Sequence, residues 1–166
     1  MKENKTQNTQ ENKNLKQGFT LLELLVVVVI IGILAGIALP QYQMTVGKAK
    51  FATLKDNARA IKNSLDRYYL LHDNYTTKLG DLDVEISNNE IYCKIGSNEW
   101  ISCSRHIFDG SMEYTISFGR RGNKSACFIV RGNIDESKRN KLCQAETGKT
   151  TPKEYDPSFP YKAYYY

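Results

Sequence analysis

Glu23 is the residue that most demands a chemical account. It is the sole charged side chain between Phe19 and Leu39. A carboxylate in such a run costs a few kcal/mol on membrane-insertion scales, and groups of this kind usually have a function and a nearby partner. A partner is at hand in the Gly18-Phe19 junction. A cut there would leave a free α-amino group on Phe19, positively charged below a pKa of about 8. On its own helix that amine lies within about one turn of Glu23. On a neighbouring copy shifted along a common axis it would neutralise Glu23 inside an apolar bundle and so select one axial register. Such chemistry is assembly rather than catalysis.

The remaining reactive side chains point the same way. Cys93, Cys103, Cys127 and Cys143 all lie downstream of the apolar run. An even count in an exported segment favours disulfides, with three connectivities open. The preferred pairing is Cys93 with Cys103 across a hairpin and Cys127 with Cys143 closing a C-terminal loop. Zinc is the weaker reading, since there is no C-x-x-C and no metal-like histidine spacing. His72 and His106 are the only histidines, and no P-loop, H-E-x-x-H or nucleophile elbow occurs, so no enzyme and no cofactor is expected. Arg120, Arg121, Lys124 and Arg131 could touch DNA, but four basic residues near turns are read as a solvated surface and nucleic acid is not an expected partner. Asp73, Asp81 and Asp83 offer hard oxygens for calcium without a loop signature.

These residues are carried by a chain sorted into blocks. Residues 1–18 are rich in Asn, Gln, Lys and Glu and carry four Lys against two Glu. That segment is too polar to bury a core, and its positive charge beside an apolar span holds that side in the cytoplasm. Without it, 19 basic and 16 acidic residues remain, a surplus too small to argue for nucleic acid. Residues 19–39, as a helix, would run roughly 31 Å at about 1.5 Å per residue, enough for a hydrocarbon core of about 30 Å. A secretory signal peptide cut near Gly36-Ile37-Ala38 is the alternative. Its apolar region would normally be only about 7–15 residues, and Glu23 also speaks against it.

The segment Gly18-Phe19-Thr20-Leu21-Leu22-Glu23-Leu24-Leu25-Val26, continued by Ile30 through Tyr42, resembles the cleavage and methylation motif of type IV pilins and pseudopilins. The likeness covers about 25 residues. It implies that a membrane-embedded prepilin peptidase cuts after Gly18 and methylates the amine of Phe19. Self-assembly into a helical polymer and contact with inner-membrane pilus assembly machinery are implied as well. The implied location is a single-pass inner-membrane precursor, then an extracellular filament on a bacterial surface. Two features depart from the simplest pattern: the leader is long for a pilin beginning with Phe, and Leu22 stands where Ile is common. Pro40 should kink the helix. Gly32 and Gly36 fit either close helix packing or a hinge, and the resemblance favours a Gly32–Pro40 segment that unwinds on entry into a filament.

Beyond Pro40, Phe51, Leu54, Ala58, Ile61, Leu65, Tyr68 and His72 recur at spacings of three and four, which predicts an amphipathic helix over residues 40–72 with one buried stripe. Residues 73–90 read as a loop covering that helix. Strands are predicted at 91–95, 99–103, 112–118 and 126–131, with turns at Gly96-Ser97-Asn98 and Arg120-Arg121-Gly122-Asn123. From Gln144 onward, Pro152, Pro157 and Pro160 oppose a regular helix, and the tyrosines are read as edge residues folded against the sheet. The alternative for them is an exposed aromatic contact patch.

The expected fold class is α+β: a long N-terminal helix on a small antiparallel sheet. Its divisions are 1–18 leader, 19–39 membrane and filament-core helix, 40–72 amphipathic helix and 73–166 head. The expected function is a structural subunit of a type IV pilus. The alternatives are a type II secretion pseudopilin and a single-pass membrane-anchored binding protein.

Overall fold

The computed structural model describes residues 18–86, 90–108, 110–122, 124–130, 136–154 and 161–166. The chain divides into two compact units, residues 1–38 and 39–166. Helix α1 runs from Leu21 to His72, with Pro40 inside it. In the second unit the apolar stripe becomes the core. Phe51, Leu54, Ala58, Ile61 and Leu65 are fully buried, each worth about 1.5–3 kcal/mol for the larger side chains. The stripe ends earlier than its spacing predicts. Tyr68 is half-buried and His72 exposed, and the two rings stack at 4.1 Å on the helix surface.

The stripe packs on a six-stranded antiparallel sheet of order β1-β2-β3-β4-β6-β5. Its strands are β1 (Tyr92–Gly96), β2 (Trp100–Ile107), β3 (Gly110–Ser117), β4 (Ser125–Val130), β5 (Lys153–Glu154) and β6 (Tyr161–Tyr165). The side-chain period of two puts Met112, Tyr114 and Ile116 on the helix face of β3, with half-buried Glu113, Thr115 and Ser117 on the other. Phe51 of α1 meets Tyr114 edge-on at 6.1 Å, a favoured aromatic geometry.

Three elements differ from the sequence expectation. β2 extends to Ile107, and Phe108 follows it at φ 60°. Its ring lies so close to Gly47 of α1 that a Cβ there would stand 2.3 Å from Cζ. A helix, α2, spans Ser137–Thr147, and its C-terminus is closed by Gly148 at φ 70°, whose N–H donates to Gln144 O, the left-handed cap that glycine adopts without a Cβ penalty. The tyrosine tail is an interior strand rather than an edge: β6 lies between β4 and β5, with Tyr164 buried. Residues 155–160, with Pro157 and Pro160, lie outside the described residues.

The segment after α1 lies on the core through Tyr75, Leu79, Leu82, Val84 and Ile86. It is tied to α1 at Asp83, which takes Arg67 Nη2 on Oδ1 at 2.7 Å, Nε on Oδ2 at 3.0 Å, and the Ser64 hydroxyl. The guanidinium first, then the hydroxyl, hold its carboxyl down at about 2. An unfolded Asp titrates near 3.9, so the unfolded chain binds the extra proton between those values. The contribution is therefore complete above about pH 4 and is lost as pH falls through about 2. Asp83→Asn should flatten the acid limb of stability: thermal melts from pH 5 to 2 should fall less steeply than in the wild type. Parallel slopes would show that the pair does not anchor the segment.

Candidate functional site

Helix α1 begins on a reciprocal cap. Thr20 N–H donates to Glu23 Oε2 at 2.8 Å, the Thr20 hydroxyl donates to the same oxygen at 2.9 Å, and Glu23 N–H donates back to Thr20 Oγ1 at 3.2 Å. The first helical turn closes with Leu24 N–H on Thr20 O at 3.3 Å. This is a capping box, Thr-x-x-Glu, which satisfies backbone donors that have no intrahelical acceptor. The carboxylate also sits at the positive end of the helix dipole, where a negative charge is favoured. Both bonds from Thr20 fall on Oε2, which leaves Oε1 as acceptor for a second donor. The Thr20–Glu23 spacing is the sequence signal for this cap, overshadowed by the contrast of one charge against an apolar run.

Gly18 and Phe19 are exposed immediately before the cap, Phe19 at 87%. Every large apolar side chain from Phe19 to Leu39 is at least 46% exposed. α1 is long and apolar enough to cross a membrane. A Cβ at Gly32 or Gly36 would meet nothing within 4 Å. Packing within the chain therefore gives no reason for either glycine. Helix α1 runs unbroken through both and through Pro40.

The cysteines form two disulfides. Cys93–Cys103 joins directly opposed residues of β1 and β2, and Cys127–Cys143 ties β4 to α2. All four are on the core side and nearly or fully buried. Around the second bond, Tyr164 OH donates to Asn140 Oδ1 at 2.9 Å, and Lys55 of α1 pairs with Glu146 of α2.

The residues weighed for other chemistries are dispersed. His72 Nδ1 lies 3.1 Å from Tyr68 O, and His106 is exposed on β2. Asp81 accepts from Thr76 Oγ1 at 2.6 Å while Asp83 pairs with Arg67. No metal-holding group of three such side chains occurs among the described residues. Arg120 is almost wholly exposed, 3.5 Å from Glu99. Arg131 and the side chain of Arg121 lie outside the described residues.

Residues 13–39 match the family model of the prokaryotic N-terminal methylation motif. Fimbrial protein EcpC of Eikenella corrodens is 44% identical over 57 residues, 34% of this chain and 37% of that protein. Type IV major pilin protein PilE1 of Neisseria gonorrhoeae is 43% identical over 58 residues, 35% of each. Type IV major fimbrial protein FimA of Dichelobacter nodosus is 41% identical over 54 residues, 32% of this chain and 35% of that protein. The matched part of the chain thus spans little more than a third of the relatives' own length. The motif and these relatives support the type IV pilin family.

Proposed function

We infer that this protein is a structural subunit of a type IV pilus filament. In this reading, residues 1–18 are a leader removed by a prepilin peptidase, which also methylates the amine of Phe19. Residues 19–39 hold the subunit in the inner membrane before assembly and then pack in the filament core. One observation carries the reading: a single carboxylate is fixed at the start of a helix whose large apolar side chains from Leu21 to Leu39 are all exposed.

The mechanism follows from that arrangement. Cleavage puts a cationic amine one turn before Glu23. The apolar surface from Leu21 to Leu39 is removed from water or lipid by packing on other copies, an attraction without preferred register. The pairing of Glu23 with the Phe19 amine of the adjoining copy adds the register, because any other offset leaves one charge in an apolar bundle. Thr20 pre-orients the carboxylate through Oε2, so Oε1 can meet the incoming amine without rotamer search. Gly32, Gly36 and Pro40 allow the helix between them to unwind as the subunit leaves the membrane, glycine through its low helix propensity and proline through its missing donor. The head, residues 73–166, remains folded throughout, stapled by its two disulfides.

Mass spectrometry of the sheared surface fraction tests the reading. The expected species begins at methylated Phe19 and contains two disulfides. Recovery of the chain with residues 1–18 attached, from membranes only, would favour an anchored binding protein instead. A cleaved, methylated chain confined to the cell envelope would favour a secretion pseudopilus. Changing Gly18 to Phe should leave the full-length precursor in the membrane and reduce filaments to background, because a bulky side chain cannot occupy a site shaped for glycine. Normal filaments built from the uncleaved variant would overturn the proposed junction.

A further inference from the structure

The sheet face turned away from α1 holds a groove of about 1080 Å³. The strand register builds it. Trp100 stands opposite Gly96 on one side and Ser117 on the other, while Phe128 stands opposite Glu113. Two strand spacings of about 4.8 Å across the sheet and four residues of about 3.3 Å along it place the two aromatics roughly 16 Å apart at the backbone. The floor between them is made of short side chains from β3 and β4, Thr115, Ser117, Ser125 and Ala126, with Glu113 half-buried among them.

The aromatic platform at one end is prepared by its neighbours. A Cβ on Gly96 would stand 2.2 Å from the Trp100 indole, so the ring lies across bare backbone. Lys94 places its ammonium 5.2 Å from the indole centroid. Glu113 takes the Ser102 hydroxyl on Oε1, which leaves Oε2 as an acceptor. Lys94, Arg120 and Lys124 are exposed where they line the groove, with Glu113 the carboxylate among the lining residues and Glu99 3.5 Å from Arg120, so cations outnumber carboxylates three to two.

We propose that this groove binds an acidic oligosaccharide, a chain of sugar rings bearing carboxylate or sulfate groups. Separated aromatic faces suit an extended ligand made of rings, not a single ring. Ring hydroxyls supply the donors that Glu113 requires, and the acidic substituents meet the rim cations through charge-assisted hydrogen bonds. A polynucleotide fits less well, because its regularly spaced phosphates would pass over the Glu113 carboxylate. None of these residues belongs to the N-terminal helix segment, so the proposal stands or falls apart from the filament reading.

Trp100 is the only tryptophan in the chain, and its emission therefore reports directly on the platform. The full chain in detergent would be titrated with a hyaluronan hexasaccharide, with chitohexaose as its uncharged counterpart and with a twelve-residue oligothymidylate. The expected result is a saturable change in emission with the hyaluronan fragment that weakens as salt rises. Responses to the other two should be at least tenfold weaker. Replacing Lys94, Arg120 and Lys124 together by Ala should weaken binding tenfold or more, with an unchanged far-ultraviolet circular dichroism spectrum and thermal midpoint, since all three are exposed. Gly96→Ala should weaken it by displacing the indole. Equal binding of chitohexaose, tighter binding of the oligothymidylate, an unaffected triple variant, or no response to any probe would each overturn the proposal.

Discussion

Subunits carrying Glu23→Ala are expected to be cleaved and inserted in the membrane yet to form few or no filaments. Insertion should not suffer, because the substitution removes the one charge from the apolar segment of residues 19–39. Assembly should suffer, because the amine of the adjoining copy enters the bundle without a counter-charge, and breaking a buried pair costs about 3–5 kcal/mol. The cap at Thr20 adds a second effect that must be separated. Loss of the Glu23 carboxylate also frees the Thr20 N–H, at a cost of about 1 kcal/mol in helix initiation. Glu23→Gln separates them, since Gln still completes a capping box but carries no charge. Both variants should be assembly-defective if charge sets the register. Wild-type filament yield from Glu23→Gln would assign the role to the cap instead. Wild-type yield from Glu23→Ala would leave the bundle aligned by shape alone. Filament yield would be measured against the amount of cleaved, inserted subunit.

The α+β architecture was legible because two strong periodicities carry it. The three-and-four spacing from Phe51 to Leu65 and the alternation from Met112 to Phe118 are each long enough to be read without a partner, and each is a face of the core. The elements that escaped are those whose side chains do not alternate with water. Of the eleven residues of α2, the buried ones are Arg139, Leu142 and Cys143, too few for an apolar stripe. Its readable signals were the helix formers Lys, Leu, Gln, Ala and Glu, and Gly148 at its end. β6 was hidden because both its faces carry tyrosines: Tyr164 buries its ring while Tyr165 lies on the groove side. The close approach of Phe108 to Gly47 joins residues 61 positions apart, and no local pattern encodes it.

The N-terminal site was legible in a different sense. A carboxylate, a glycine-aromatic junction and a long aliphatic run pose a problem of charge burial through residue type and spacing alone. The fold adds how the isolated helix handles that charge, by Thr20 holding Oε2. The same logic shows why the groove was not legible. Trp100, Glu113 and Phe128 come from three strands, and only the register of β2, β3 and β4 brings them onto one face. Arg120 and Lys124, read in sequence as a solvated turn, gain a role only through the strands that flank that turn.

The other large effect is expected in the head. Replacing Cys127 and Cys143 together by Ala should cost about 3 kcal/mol, the chain-entropy value for a bond closing a loop of this size. The sequence separation is 16 residues. For a domain of roughly 100 residues, each kcal/mol moves the thermal midpoint by about 4–8 °C, so a drop of about 12–24 °C is predicted. The Cys93–Cys103 bond closes a similar loop, with a separation of 10, but its removal should cost less than its own chain-entropy value. β1 and β2 are already paired over five residues through a short turn, so that hairpin retains order when the bond is gone. α2 has no ladder to hold it. Apart from the disulfide, its attachments include buried Leu142, buried Arg139 donating to Val130 O at 3.0 Å, Lys138 to Gln43, Asn140 to Tyr164 and Glu146 to Lys55, side-chain contacts without a backbone ladder. Amide exchange should therefore accelerate across residues 137–147 in the Cys127–Cys143 variant well before it does in β2 and β3. Calorimetry of both double variants, with exchange followed by mass spectrometry, makes the comparison. Equal losses of midpoint, with exchange rising uniformly over the head, would mean that α2 is held by its packing and that the second disulfide stabilises only the unfolded-state balance.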